Sequence, residues 1–204
     1  VIQSTETMDE IVPRISTFAN TQNKIQVADF SANDPFHRRV EELSRTIWAP
    51  AQSGLKPQNW FYERARGQYA DMLSRESTPK RKKEYKETHP LFTKTDLAKY
   101  ENTWDQLPYQ VSEGAQKNFH KFMLRLKDYK GFVPDEAYYH SLISKAILFR
   151  QTEKLVQKQQ YGGYRANIVT YTLAFLSYKT AQRIDLDRIW KDQALTPALE
   201  WEII

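Results

Sequence analysis

The fold class of this chain is decided by two stretches, EAYYHSLISKAILFRQTEKLVQK at residues 136–158 and YRANIVTYTLAFLSYKTA at residues 164–181. The first repeats apolar residues at the spacing of one helix face, namely Tyr139, Leu142, Ile143, Ala146 and Phe149. The second is apolar on nearly every side, at Ile168, Val169, Tyr171, Leu173, Ala174, Phe175 and Leu176. A helix that is apolar all round is normally buried, so residues 164–181 are expected in the centre of a helical bundle.

Start signals predict further helices on the N-terminal side. Thr7 to Glu10 has the pattern of a capping box, and Thr93 to Asp96 repeats it with a shorter acid. Asp34-Pro35 combines an N-cap residue with a proline in the first helical turn. Helices are therefore predicted to begin at these three points, and the one after Thr93 must end at Pro108.

The other segments complete the expected architecture. Residues 60–69 fit a strand or a helix, and the grouping of Phe61, Ala65, Tyr69 and Met72 favours the helix. Residues 74–89 are polar and charged, which is typical of a solvated helix or a mobile loop. One apolar stripe from Val111 to Leu126 predicts another helix, and a short last helix is expected near residues 187–194. The chain is thus predicted to be mainly α, an irregular multi-helix bundle with little or no β structure. It is expected to form a single domain over residues 1–204, with a basic segment at 35–86 and central helices at 109–181.

Composition excludes several classes of site. The 204 residues include no cysteine, which removes disulfides, thiolate metal sites and cysteine nucleophiles, and which agrees with a cytoplasmic location. No apolar run approaches the length of about 18 residues that a membrane-spanning helix needs, so no membrane partner is expected. The four histidines are widely separated, and none forms the i,i+4 pair of a helical metal site. Gly162-Gly163 lacks the lysine and serine of a phosphate loop. The sequence therefore predicts no metal, no cofactor and no catalytic residue in this chain.

The positive charge is concentrated in one segment. Residues 35–86 carry twelve basic and six acidic side chains, whereas residues 1–34 carry two basic and five acidic ones. The basic segment contains Lys80-Arg81-Lys82-Lys83, and it also contains Trp60 to Tyr69, where aromatic residues alternate with Arg64 and Arg66. Aromatic faces beside cations suit stacked bases and phosphates. The same residues also suit a packed core with a solvated, salt-bridged surface, and both readings stay open.

A run of amides precedes the basic segment. Asn20, Gln22 and Asn23 offer paired donors and acceptors that could read base edges or a polar ligand. Asparagine is also a common residue at helix ends, so the run can equally be a cap that locks a turn.

Several long stretches of the sequence, taken in their order along the chain, resemble those of a known protein family. Asn20-Thr21-Gln22-Asn23-Lys24 is followed by Ala28-Asp29-Phe30 and Asn33-Asp34-Pro35-Phe36. Together with residues 60–69 and 92–104, and more loosely residues 164–169, they resemble the AIPR family, the abortive-infection phage-resistance proteins of bacteria. The resemblance implies a role in antiviral defence. Members of that family carry an Asn-Gly-x-Gln-Thr motif upstream of the amide run, and some have a restriction-nuclease-like region nearer the N-terminus.

Neither upstream feature lies in this chain, which opens on Val1. We therefore expect it to be the C-terminal part of a longer protein, with any nuclease-like activity upstream; whether this part belongs to an enzyme stays open. The leading hypothesis is a helical domain that contacts DNA or RNA and supports the upstream region. The expected phosphate-binding side chains are Arg64, Arg66, Lys82 and Lys83, with Asn20, Gln22 and Asn23 for polar recognition. The alternative is a protein-interaction or dimerisation module, in which the tyrosines and tryptophans form the patch that contacts a partner or a second copy.

Overall fold

A computed structural model describes residues 31–51, 56–129, 131–159, 161–181 and 183–203. The helix predicted after Thr7 lies outside these ranges. Within them the structure is mainly α, with ten α-helices, two short 3-10 turns and one sheet of two strands. In chain order these are α1 (Pro35–Thr46), β1 (Phe61–Glu63), α2 (Gln68–Ser74), α3 (Pro79–Thr88), β2 (Leu91–Thr93), α4 (Lys94–Trp104), α5 (Pro108–Ser112), α6 (Ala115–Asp128), α7 (Glu136–Gln157), α8 (Arg165–Lys179), α9 (Leu186–Asp192) and α10 (Pro197–Ile203). The 3-10 turns are Ser31–Asn33 and Gly162–Tyr164. The predicted fold class is confirmed.

Both start signals that fall in the described ranges are confirmed. The Asp34 side chain accepts a hydrogen bond from the Phe36 backbone N–H at 2.9 Å and caps α1, with Pro35 in the first turn. Thr93 and Asp96 form a full capping box at the start of α4, in which each side chain accepts from the other's backbone N–H. These local hydrogen bonds need no tertiary contact, which is why the sequence alone could predict them.

The centre of the bundle is α7. Every residue from Leu142 to Phe149 is buried, because α4, α8, α9 and α10 pack around this helix and α1 also contacts it. All five residues predicted for its inner face are buried. The helix also buries polar groups that have partners; Ser144 Oγ, for example, donates to the Leu186 carbonyl at 2.7 Å and links α7 to the start of α9.

The expectation that residues 164–181 are central is wrong. One side of α8 is buried, at Val169, Leu173 and Leu176, but Tyr171, Phe175 and Tyr178 are exposed. The helix lies at the edge of the bundle, where α4, α5 and α7 cover only its inner side. A helix with apolar residues on all sides thus lies at the outside of this bundle. The core does not account for the exposed aromatic residues on its outer side.

The helix favoured for residues 60–69 is also wrong. Phe61–Glu63 form a parallel pair with Leu91–Thr93, in the register Phe61↔Leu91, Tyr62↔Phe92 and Glu63↔Thr93. The α7 helix supports this pair, since Tyr139 Oη donates to the Trp60 carbonyl at 3.1 Å and Arg150 donates to the Leu91 carbonyl. The chain then turns at Gly67, whose φ of +93° lies in the left-handed region, before α2 begins. Long-range pairing therefore overrides the local helical grouping.

The stripe from Val111 to Leu126 is split between two helices. Gly114, with a φ of +101°, separates α5 from α6, and Val111 is only half-buried. The other predicted segments are present, since α7 covers residues 136–157, α3 is a solvated helix within residues 74–89 and α9 occupies residues 186–192. The expectation that this last segment is the final helix is wrong, because α10 follows it at Pro197–Ile203. In the ranges that the structure describes, no helix is both long and apolar enough to cross a membrane.

Candidate nucleic-acid interface

The α3 helix is basic and almost wholly solvated. Thr78 caps it by accepting from the Arg81 backbone N–H at 3.2 Å, and Pro79 occupies the first turn. None of the ten residues of α3 is buried, and five of them are cations: Lys80, Arg81, Lys82, Lys83 and Lys86. Two carboxylates, Glu84 and Glu87, offset part of this charge. The helix therefore presents a net positive surface to solvent rather than a face to the core.

An open cleft of about 450 Å³ lies beside α3. We call it the aromatic cleft and define it by its ring side chains Trp48, Phe61, Tyr85 and His89. Polar and charged side chains complete its lining, namely Glu41, Arg45, Asn59, Gln68, Asp71 and Arg75. Its size falls within the range of small-ligand pockets, and its lining combines the exposed indole of Trp48 and the half-buried rings of Tyr85 and His89 with side chains of both signs of charge.

Trp48 forms one wall of the aromatic cleft and is held by the backbone on either side of it. The Ile47 carbonyl accepts from Asn59 Nδ2 at 2.8 Å, and the Ala49 N–H donates to the Gln58 carbonyl at 2.7 Å. These bonds join the end of α1 to the segment that leads into β1. The indole nevertheless stays 53% exposed, so a flat ligand could contact it.

The second wall is a stacked pair of rings. Tyr85 and His89 are one helical turn apart, with centroids 4.1 Å from each other and planes inclined by 7°. Trp48 meets His89 edge to face at a centroid distance of 5.7 Å. Burial lowers the pKa of His89, although its bond to the Tyr85 carbonyl acts in the opposite direction. The ring is therefore neutral at neutral pH and is suited to stacking rather than to holding a phosphate.

Glu41, which lines the aromatic cleft, forms ion pairs with two arginines, Arg45 and Arg64. Its carboxylate accepts from Arg64 Nε at 2.5 Å, from Gln68 Nε2 at 2.8 Å and from Arg45 at 3.4 Å. The Arg45 guanidinium also lies 3.7 Å from the centroid of the Phe61 ring. One carboxylate thus holds two guanidinium groups in fixed positions, and neither is a freely moving surface cation.

The predicted site residues that the structure describes fall into two groups, and none of them lines the aromatic cleft itself. Lys82 and Lys83 are exposed on α3, where Lys83 Nζ lies 3.9 Å from Glu87 Oε1. Arg64 and Arg66 follow β1; Arg66 is exposed, whereas Arg64 is half-buried against Glu41. The cleft is lined by Glu41, which pairs with Arg64, and by Tyr85, which belongs to the same helix as Lys82 and Lys83. Asn20, Gln22 and Asn23 lie outside the described residues, and the assignment of all seven residues stays a prediction.

Sequence reasoning missed the aromatic cleft itself. Its rings come from the segment after α1 (Trp48), from β1 (Phe61), and from α3 and the residue that ends it (Tyr85 and His89), which only the fold brings together. The i,i+4 spacing of Tyr85 and His89 was the one available signal, since residues four apart share a helix face. The surrounding run of charges indicated only the cations as candidate site residues.

Two of the stretches that carry the family resemblance meet at a second cleft, of about 370 Å³. Thr95, Asp96 and Lys99 of α4 line it together with Ala166 and Asn167 of α8. Lys99 Nζ lies 3.6 Å from both Asp96 Oδ1 and Glu153 Oε1, so its charge is shared between two carboxylates. Among the described residues, no group of three or more histidines and acidic residues is arranged to hold a metal ion.

Comparison with known proteins gives one family. The model of the family described as "AIPR protein" matches residues 1–203, which is almost the entire chain. No curated protein and no solved structure matches.

Proposed function

Since the chain belongs to the AIPR family, the abortive-infection phage-resistance proteins, we propose that it serves phage defence by contacting nucleic acid through α3 and the aromatic cleft. The observation that carries the proposal is a ten-residue helix with five cations and no buried residue, whose Tyr85 lines a cleft together with the exposed indole of Trp48. Cations along a groove follow the phosphate backbone, and aromatic faces stack on bases. In this proposal Lys82, Lys83 and Arg66 contact phosphates.

Two finer parts belong to the same proposal. The domain acts in the cytoplasm and positions or regulates an activity upstream in a longer protein; the resemblance supports this, because some family members carry a nuclease-like region nearer the N-terminus. The ligand is preferentially single-stranded, because an unstacked base can reach Trp48 and the Tyr85–His89 pair, whereas a base inside a duplex cannot.

The test of phosphate contact is fluorescence anisotropy with labelled single-stranded DNA, single-stranded RNA and duplex DNA at several salt concentrations. We expect binding that weakens steeply with salt, and we expect Lys82→Glu/Lys83→Glu to lower the affinity and to reduce the salt slope by about 2. The matched control is Lys117→Glu/Lys127→Glu, which reverses two exposed lysines of α6. Absence of binding at low salt, or equal losses in the two double variants, would overturn the proposal.

Two further variants examine the aromatic cleft. Trp48→Ala should weaken single-strand binding by about 1–3 kcal/mol, the usual contribution of one stacked base, and should leave duplex binding unchanged. Glu41→Gln removes the charge that neutralises Arg45 and Arg64, so it should tighten binding while lowering the free energy of unfolding by about 1–2 kcal/mol. Glu42→Gln is its control, because Glu42 is exposed on the same helix and pairs only with Arg39 among the described residues. Tighter binding by both variants would show a general effect of charge and would contradict the role given to Glu41.

A further inference from the structure

One side of α8, together with the 3-10 turn before it, exposes four aromatic rings. Ile168, Tyr171, Phe175 and Tyr178 recur at alternating steps of three and four residues, which places them in one narrow stripe along α8. Tyr164, four residues before Ile168, ends the 3-10 turn that leads into the helix and continues this spacing. Ile168 is half-buried, whereas the four rings are 74%, 48%, 64% and 67% exposed in chain order. We call this stripe the aromatic face. Single exposed apolar residues are ordinary, but a contiguous row of this kind marks an interaction surface.

The aromatic face carries no charge. No acidic or basic residue occurs from Ala166 to Tyr178. The flanking Lys179 is paired, since its Nζ lies 2.8 Å from Glu202 Oε1 of α10, and Arg165 Nε donates to the Gly162 carbonyl at 3.2 Å. A surface without cations is unsuited to phosphates, so the aromatic face is separate from the nucleic-acid interface proposed above. Depletion of charge with enrichment in tyrosine and phenylalanine is typical of the core of a protein–protein interface.

The area of the aromatic face suits pairing with a second copy. Taking about 200 Å² for each ring side chain, the four rings expose about 500 Å². Two such faces together supply about 1,000 Å², which is about the smallest total area that a specific protein–protein interface buries.

The chemistry of the face is also self-complementary. Each tyrosine hydroxyl is both donor and acceptor, so two tyrosines related by a two-fold axis can bond to each other. The chain has a net charge of +5, which disfavours self-association through its charged surfaces. The uncharged face is where two copies can meet without that repulsion.

We propose that the aromatic face is a homodimer interface, in which the α8 helices of two copies pack antiparallel across a two-fold axis. In this arrangement Tyr164 of one copy lies beside Tyr178 of the other. Tyr171 is midway between these two positions and therefore meets its own counterpart at the axis. This inference does not depend on nucleic-acid binding and can fail or succeed independently of it.

The first test is the mass of the 204-residue chain by light scattering over a wide range of concentrations. We expect the mass to rise from 24.1 kDa towards twice that value. Phe175→Glu should weaken dimerisation at least about 100-fold, because it places two like charges in an apolar contact. Tyr129→Glu is the matched control, since Tyr129 is 68% exposed at the end of α6 and lies outside the face. Phe175→Ser serves as the second variant if the glutamate variant does not fold.

The second test uses the absence of native cysteine, because any disulfide that forms must join two copies. Tyr171→Cys should cross-link rapidly under mild oxidation, since facing positions on closely packed helices bring the two cysteines within bonding distance. Tyr129→Cys should not cross-link faster than random collision allows. A chain that stays monomeric at every concentration, a folded Phe175 variant that still dimerises, or equal cross-linking of the two cysteine variants would overturn the proposal.

Discussion

His37 shows how a single residue couples the core of this protein to pH. Its side chain is fully buried and bonded on both ring nitrogens, with Nδ1 2.6 Å from Tyr62 Oη and Nε2 3.2 Å from Met123 Sδ. Burial raises the pKa of Tyr62, so this phenol stays protonated and donates to Nδ1. The imidazole must then be neutral, with its proton on Nε2 directed at the sulfur. The chain Tyr62–His37–Met123 joins β1, α1 and α6 through one uncharged ring.

The pH dependence of stability follows from this burial. Desolvation, followed by the charges of Lys94 and Arg64, lowers the pKa of His37 from 6.5 to about 3 in the folded chain. Below pH 6.5 the unfolded chain therefore binds a proton that the folded chain rejects, so the free energy of unfolding falls as the pH falls towards 3. The loss is about 1.4 kcal/mol for each pH unit. Urea unfolding at several pH values between 7 and 4 measures it.

In the variant His37→Gln, the slope of the free energy of unfolding against pH should be smaller by the contribution of about one proton, because glutamine does not titrate. It can still accept from Tyr62 and donate to Met123, although its poorer fit should reduce stability at neutral pH by about 1–3 kcal/mol. Burial also lowers the pKa of His89, so the free energy of unfolding still falls with falling pH in the variant as well as in the native chain. His120→Gln is the control, since His120 is exposed on α6. A variant profile as steep as that of the native chain would exclude His37 as the source.

At the scale of the helix or strand, the sequence could predict features that local hydrogen bonds determine, but not those that tertiary contacts determine. The caps at Asp34 and Thr93 were predictable because the bonding groups lie within three residues of each other. The strand at Phe61–Glu63 was not, because its partner Leu91–Thr93 lies 30 residues along the chain and α7 supports both. The position of α8 was not predictable for another reason, since apolar residues on all sides do not reveal which side of the helix the rest of the chain covers.

The capping box of α4 offers a prediction at the same scale. Thr93→Ala removes the acceptor of the Asp96 N–H, and it also removes the bond of 2.8 Å between Thr93 Oγ1 and Asp96 Oδ2. We expect the free energy of unfolding to fall by about 1–2 kcal/mol in urea titrations, because α4 lies in the core. Thr46→Ala is the control, since Thr46 is exposed at the end of α1 and its hydroxyl bonds only to carbonyls of its own helix. Equal losses in both variants would show that removal of a threonine, rather than of the cap, was measured.

At the scale of the whole molecule, α7 is the element on which the others depend. It supports the sheet through Tyr139 and Arg150, α9 through Ser144 and α4 through an ion pair between Lys145 Nζ and Glu101 Oε2 at 2.7 Å. Sequence spacing revealed the helix and its inner face, but not these polar links, since each partner lies more than 40 residues away. The same limit applies to the candidate site. Its cations occur in one short segment and could be predicted from the sequence, whereas its rings come from three separate parts of the chain and could not.

The ion pair of Lys145 and Glu101 gives the last prediction. The two side chains are only 10% and 9% exposed, so each charge depends on the other for its solvation inside the bundle. Lys145→Met should lower the free energy of unfolding by about 3–5 kcal/mol, because it leaves a buried carboxylate without its partner. Replacing both charges, in Glu101→Leu/Lys145→Met, should restore much of that loss, since no uncompensated charge remains. The exposed pair of Arg188 and Asp192, at 3.2 Å, is the control, and Arg188→Met should change stability by no more than about 0.5 kcal/mol. Strictly additive losses in the double variant would mean that the two charges do not stabilise each other, and that packing alone holds α4 against α7.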